Sequence, residues 1–263
     1  MKLLNSKILL IILVLFSGLG YVISCTRDNE SIVPIEITQP FVPTRGNHVH
    51  LPGTQTAGDT TQWKLDKVHS SVLWSGAYIG AAGLLTGRFN QFGMHDILPA
   101  EMQYYATAGQ PLPDTSWAFN ESDPSKTYIN GYVQINTSNT GEPGRDAGCN
   151  IGNLGTVPIV PGTQNLTDTN IALIKSTKVE FDPESNGYIV HLNLTWRGKL
   201  TATNTEEVVG KLTYIPQAIP SGKNYSVFGL QLTFQFDKSD FGIVSTSIGD
   251  NISIECNMNF NNK

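Results

Sequence analysis

With 263 residues, 40% hydrophobic, 15% charged and a net charge of −5, the chain has material for one sizeable core. Collagen-like, coiled-coil and wholly disordered architectures are excluded, because each needs a composition this chain lacks. The acidic balance also lacks the basic surface on which phosphate-backbone binding rests, so no nucleic-acid partner is expected.

Residues 1–24 read as an export signal. Lys2 and Lys7 supply a short positive start, and Ile8 to Leu15 is an unbroken apolar run. A charged start, an apolar stretch and a small residue before a cleavage point are the marks of such a signal. Val22-Ile23-Ser24-Cys25 resembles the bacterial lipobox, in which the cysteine is lipidated and becomes the new N-terminus. Cys25 is therefore the expected lipidation site, since several acyl chains on one residue give stable anchoring. An uncleaved membrane anchor is the alternative. The expected location is the cell envelope, with a membrane-anchored body facing the periplasm or the cell surface.

Residues 25–61 form the lipidated cysteine and a spacer rich in Pro, Thr, Gly and Asn, without sustained periodicity. About 35 residues of coil span roughly 30–35 Å, enough to hold a domain clear of the bilayer. His48 and His50 lie in this spacer and are too few for a metal site.

From Trp63 onward the pattern has period two. Residues 252–260 and 230–237 alternate apolar and polar side chains throughout, and residues 129–136 and 189–196 do so over most of their length. Shorter runs at Val68–Trp74, Leu84–Phe89, Thr177–Phe181 and Val208–Tyr214 bring the total to about eight strands. Asn186-Gly187 marks a hairpin, and reversals are expected at Asn204–Glu206 and Pro220–Gly222. Pro99–Lys126 and Ile151–Thr169 read as long loops, and Thr169–Ser176 as a short helical turn. Cys149 and Cys256 have no spacing pattern that tests a disulfide, and Cys256 also reads as a small buried residue in a strand. Residues 62–263 are thus expected to form one all-β antiparallel domain, a barrel or a sandwich.

Four phrases recur in a recognisable order. They are Trp63-Lys64-Leu65-Asp66-Lys67-Val68-His69-Ser70 followed by Trp74, Gly87-Arg88-Phe89 followed by Phe92, Asn136–Thr140 followed by Arg145-Asp146, and Asp237–Gly242 followed by Gly249-Asp250. Together they resemble the YceI-like family of bacterial exported lipid-binding proteins, over about residues 62–260. Tyr78 stands where the family has a second histidine, and Lys238 where it has an arginine. The resemblance implies an eight-stranded, lipocalin-like antiparallel barrel. Its interior would take up an isoprenoid lipid, such as a polyprenyl quinone or polyprenyl phosphate, with no cofactor beyond that ligand.

Eight strands enclose a space that side chains either fill or leave open for one small ligand. The candidate lining residues are Trp74, Phe89, Phe92, Val133, Ile135, Leu192, Leu194, Trp196, Leu232 and Phe234. The same alternation also serves a solid core that binds nothing. No catalytic or metal-ligating set is expected. His69 and Ser70 are adjacent in the chain, where strand neighbours face opposite sides, and neither a nucleophile elbow nor a zinc-protease helix motif is present. His69 with Asp66, and Arg88, Arg145, Asp146 and Asp240, read as contacts that hold the fold. The rival reading is an interaction module whose long loops bind a protein or glycan around an inert barrel.

Overall fold

The alternation within residues 252–260 becomes most of a 14-residue strand, Ile248–Asn261. Ile252, Ile254, Cys256, Met258 and Phe260 are buried, while Ser253, Glu255, Asn257 and Asn259 between them keep solvent access. That is the pattern of an antiparallel strand with one face on a core. The computed structural model describes residues 50–52, 63–80, 82–96, 114–121, 123–148, 151, 171–196 and 204–263. All of these belong to the unit Pro43–Lys263. The export segment, Cys25 and Cys149 lie outside the described residues.

The described strands, in chain order, are β1 (His50–Pro52), β2 (Lys64–Leu65), β3 (Ser71–Tyr78), β4 (Leu84–Phe89), β5 (Phe92–Gly93), β6 (Trp117–Asn120), β7 (Tyr128–Gln134), β8 (Ser138–Asn139), β9 (Ile171–Asp182), β10 (Gly187–Trp196), β11 (Asn204–Ala218), β12 (Val227–Asp237) and β13 (Ile248–Asn261). They join in one antiparallel sheet in the order β1-β6-β7-β9-β10-β11-β12-β13-β3-β4-β8, with β2 against β13 and β5 against β7. The fold is an all-β, lipocalin-like antiparallel barrel. The long strands β3, β4, β7 and β9 to β13 form its wall. The further short strands raise the total from the expected eight to thirteen among the described residues, because short loop segments satisfy their backbone groups against the wall.

A crossover draws the two ends of the curled sheet together. β4 runs into β5, where Phe92 pairs with Val133 of β7. In return β7 runs through a 3₁₀ turn, Ile135–Thr137, into β8, where Ser138 pairs with Phe89 of β4. Asn90 N–H donates to the Thr137 carbonyl at 3.1 Å, and Gln134 N–H to that of Gln91 at 2.9 Å. Joining the sheet ends in this way removes edges that would otherwise offer unpaired backbone groups.

Several local expectations are corrected. Thr169–Ser176 is not a helical turn, since Ile171 onward is strand β9; its neighbours β7 and β10 supply backbone partners, and tertiary pairing overrides local preference. Asn204–Glu206 is not a reversal, because Asn204 already pairs with Trp196. The spacer is not wholly irregular: His50 pairs with Asn120 and Pro52 with Ala118, where β6 offers a free edge. The expected loop Pro99–Lys126 contains β6, and Trp117 and Phe119 are fully buried. The expected hairpin does form, with Gly187 opposite Asp182 and Asn186 at φ 50°, a conformation asparagine tolerates better than most residues.

Candidate ligand cavity

Along β10, inward-facing Tyr188 and Trp196 are eight residues apart, about 27 Å at strand rise. An aromatic cluster occupies the Tyr188 end. Trp117 and Phe260 have ring centroids 4.3 Å apart, Phe228 and Phe260 stack at 4.6 Å, and Trp63 meets Phe228 edge-on at 4.9 Å. Phe119 bridges Tyr214 at 4.8 Å and Tyr188 at 5.5 Å. Such aromatic pairs add to the burial of their large surfaces, so this end is solid.

Toward the Trp196 end the barrel is not filled. A cavity lies there between β3, β4, β5, β7, β9, β10, β12 and β13. Its volume is about 60 Å³. A cavity of about 150 Å³ is known to take up benzene, so a prenyl chain enters this one only if wall side chains change rotamer. Met94 and Met258 in the wall suit that, being unbranched and adaptable.

Of the sequence-predicted lining residues, Phe89, Phe92, Val133, Leu194, Trp196 and Phe234 stand in the cavity wall. Trp74, Ile135, Leu192 and Leu232 are buried but outside it. Each has a local reason. Trp74 lies across Gly87, where an added Cβ would fall 2.5 Å from its indole nitrogen, and its Nε1–H donates to Ser138 Oγ at 2.7 Å. It therefore fills the junction between the sheet ends. Ile135 falls in the 3₁₀ turn after β7, where strand parity has ended. Leu192 and Leu232 sit in the filled layers nearer the aromatic cluster; Leu232 pairs with Leu212, two residues before Tyr214.

Sequence reasoning missed Leu65, Met94, Ile129, Ala172, Cys256 and Met258 as wall residues. Cys256 and Met258 carried a signal, since they share the alternating face of Ile254. Met94 carried none, lying beyond the two-residue β5.

Among the described residues, the wall includes no Asp, Glu, Lys, Arg or His. Its titratable groups are Tyr132 and Cys256, and burial holds both neutral. Burial, with the negative charge of Asp114 adding to it, pushes the Tyr132 phenol well above its ordinary value. Burial, assisted by Glu255, raises the free thiol of Cys256 to about 12. A thiol so raised is protonated at neutral pH and chemically inert.

The polar residues of the four sequence phrases hold the barrel's turns. Desolvation acts to raise the Asp66 pKa, but the hydrogen bond and charge of His69, with Asn261, outweigh it and leave the carboxyl below 3.8. The His69 Nδ1 to Asp66 Oδ2 distance is 2.8 Å, and the His69 side chain is 73% exposed. Ser70 Oγ donates to the Asp66 carbonyl at 2.7 Å, so it is tied to the turn and not to His69. Asp146 Oδ1 accepts from Thr140 N–H at 2.8 Å, and Arg145 donates to the Thr140 carbonyl at 3.3 Å. Buried Lys238 donates to Asp250 Oδ1 at 2.5 Å, joining the two halves of the last phrase. Phe241 there packs edge-on to Phe236 at 5.4 Å. Arg88 is exposed. Among the described residues, no three of His, Cys, Asp or Glu gather as a metal site.

Fold and cavity together define a lipocalin-like barrel whose interior is oily at one end and solid at the other. Comparison with known families makes that assignment specific: the YceI-like domain matches residues 63–260, and the chain belongs to this family. Similar solved structures include a polyisoprenoid binding domain from Saccharophagus degradans implicated in plant cell wall breakdown. It shares 9% identity and a TM-score of 0.40, covering 78% of this chain and 100% of that one. A mutant CJ YceI protein made for nanotechnology applications shares 17% identity and a TM-score of 0.35, covering 74% and 96% respectively. No curated protein sequence matches the chain.

Proposed function

We propose that this protein holds the tail of an isoprenoid lipid inside the barrel, storing or transferring it without chemical turnover. The observation that carries this reading is the cavity wall, which among the described residues is apolar and free of ionised groups. Each Å² of prenyl surface moved from water into such a wall contributes about 25 cal/mol. The reading takes the lipid to be a polyprenyl quinone or polyprenyl phosphate. It takes the protein to be a lipoprotein anchored through Cys25, with its body facing the periplasm or the cell surface.

The full chain purified from its native membranes is expected to yield a prenyl lipid on solvent extraction and mass spectrometry. Extracts without prenyl lipid, from protein that also fails to bind added prenyl chains, would sink the proposal. The anchor has its own test: Cys25→Ser should move the chain from the membrane fraction to the soluble one.

A further inference from the structure

Two adjoining turns at the cavity end of the barrel are apolar and exposed. Phe236 of the cavity wall pairs with Ile252, and Ile252 pairs with Gly76, so the residues of β3 after Gly76 emerge at that end. The turn from β3 to β4 begins with Tyr78 and Ile79 and returns at Leu84. Beside it runs the connection into β13: Ile79 N–H donates to the Ser247 carbonyl at 2.9 Å, and Tyr78 pairs with Ile248. Ile79 is 53%, Leu84 66% and Val244 81% exposed. No charged residue occurs from Ser75 to Gly87, or from Phe241 to Gly249. Exposed apolar side chains standing singly are ordinary, but several on neighbouring uncharged turns mark a surface that meets something. The solid end differs. It exposes Val68, Ile215 and Ile219, but its three turns carry Lys67 with His69, Asp182 with Glu184, and Lys223.

Resting on the isoprenoid reading above, we infer that the β3–β4 turn and the Val244 turn insert into the surface of a lipid bilayer, so that the cavity end of the barrel faces the membrane from which its lipid comes. Three observations favour a bilayer over a protein. The segment that carries Val244 also touches the cavity: Phe241, three residues earlier, packs edge-on to Phe236 of the wall at 5.4 Å, so the exposed surface is continuous with the container. Asp240 and Asp250 flank the second turn, and Lys238 is buried against Asp250 at 2.5 Å; neither turn offers a cation, so contact rests on burying side chains among acyl chains and not on attraction to anionic headgroups. The expected anchor is compatible with this orientation. His50 pairs with Asn120, next to Phe119 of the solid end. About 25 residues separate it from Cys25, and as coil they would reach roughly 25–30 Å, about the length of the barrel. An anchored body can therefore turn its far end to the same membrane, which it meets at an effective concentration in the millimolar range.

The test uses the full chain anchored in vesicles of neutral phosphatidylcholine. Nitroxide labels are placed at Ile79→Cys, Val244→Cys or Lys223→Cys in a Cys149→Ser background. The first two labels should be more accessible to oxygen than to an aqueous nickel chelate, and the Lys223→Cys label at the solid end should show the reverse. Tip labels as aqueous as the one at position 223 would overturn the inference. So would tip labels shielded from both reagents and broadened by a second label, the mark of pairing between copies. A second measurement follows extraction of a prenyl probe, geranyl naphthoquinone, from the vesicles by its quenching of tryptophan fluorescence. Ile79→Asp combined with Val244→Asp should slow extraction by at least about tenfold. Binding of the same probe in vesicle-free solution should change by less than about twofold, because the substitutions lie outside the cavity wall. Extraction at the parent rate by this variant would overturn the inference while leaving the isoprenoid reading intact. Failure of the unmutated protein to bind the probe in either setting would overturn that reading itself.

Discussion

The two ends of the barrel are built from the same strands yet solve opposite problems. At the Tyr188 end, Trp63, Trp117, Phe119, Tyr214, Phe228 and Phe260 fill the space between the walls. Two of these, Trp117 and Phe119, come from β6, which lies outside the long strands of the wall. At the Trp196 end, inward positions fall to residues such as Ala172, Val72 and Cys256, and among the described residues no corresponding insertion fills the centre. The difference shows that strand pattern makes a barrel, whereas residues brought in from outside that pattern decide whether it is a core or a container.

The largest expected effect breaks the comparison at the solid end. Phe260→Ala removes a fully buried ring that contacts Trp117 and Phe228, and should cost about 3–5 kcal/mol in urea unfolding. A loss below about 1 kcal/mol would mean the end is looser than its ring contacts imply. A smaller effect of opposite kind is expected at the cavity end. Ala172→Leu adds volume where the wall faces open space, and should leave stability unchanged or raise it by up to about 1 kcal/mol. It should also abolish uptake of geranyl naphthoquinone. Destabilisation by about 1–3 kcal/mol, the signature of overpacking, would show that this end is filled as well.

The smallest effect lies outside both ends, in the turn before β3, and serves as the reference. The folded Asp66 carboxyl is held below its ordinary 3.8, chiefly by His69 against the opposing pull of desolvation. A depressed carboxylate stabilises the fold fully above its unfolded pKa, and that contribution is lost as pH falls through the folded value. Asp66→Asn should therefore lower the urea midpoint slightly near pH 6, and the gap from the parent should close as the pH drops below about 3.8. A gap that persists unchanged at low pH would assign Asp66 a role independent of its charge.

How much of this was legible depended on where a residue stood. In β10, β12 and β13 the period-two pattern marks Leu194, Trp196, Phe234, Ile254 and Cys256 as inward, and in the structure all are buried. The pattern cannot say how far along the barrel a residue lies. Leu192 and Leu194 are equivalent by parity, yet only Leu194 borders the cavity. Trp74 read as lining because it is large and inward, but the small surface of Gly87 and the hydroxyl of Ser138 draw it aside. Those partners lie 13 and 64 residues away in the chain, beyond the reach of any local pattern.

By itself, the sequence determined an all-β chain with one apolar face per strand, since side-chain direction alternates wherever the backbone is extended. Its short phrases determined the turns, because Asp66, Asp146 and Asp237 each bond to backbone only a few residues away. Only the tertiary structure decided which inward residues surround empty space. That depends on how the register of eight long strands meets segments such as β6, and on whether a buried donor finds an acceptor across the barrel. Trp74 and Trp196 look alike in the sequence; the fold ties one to Ser138 at the junction of the sheet ends and sets the other in the cavity wall.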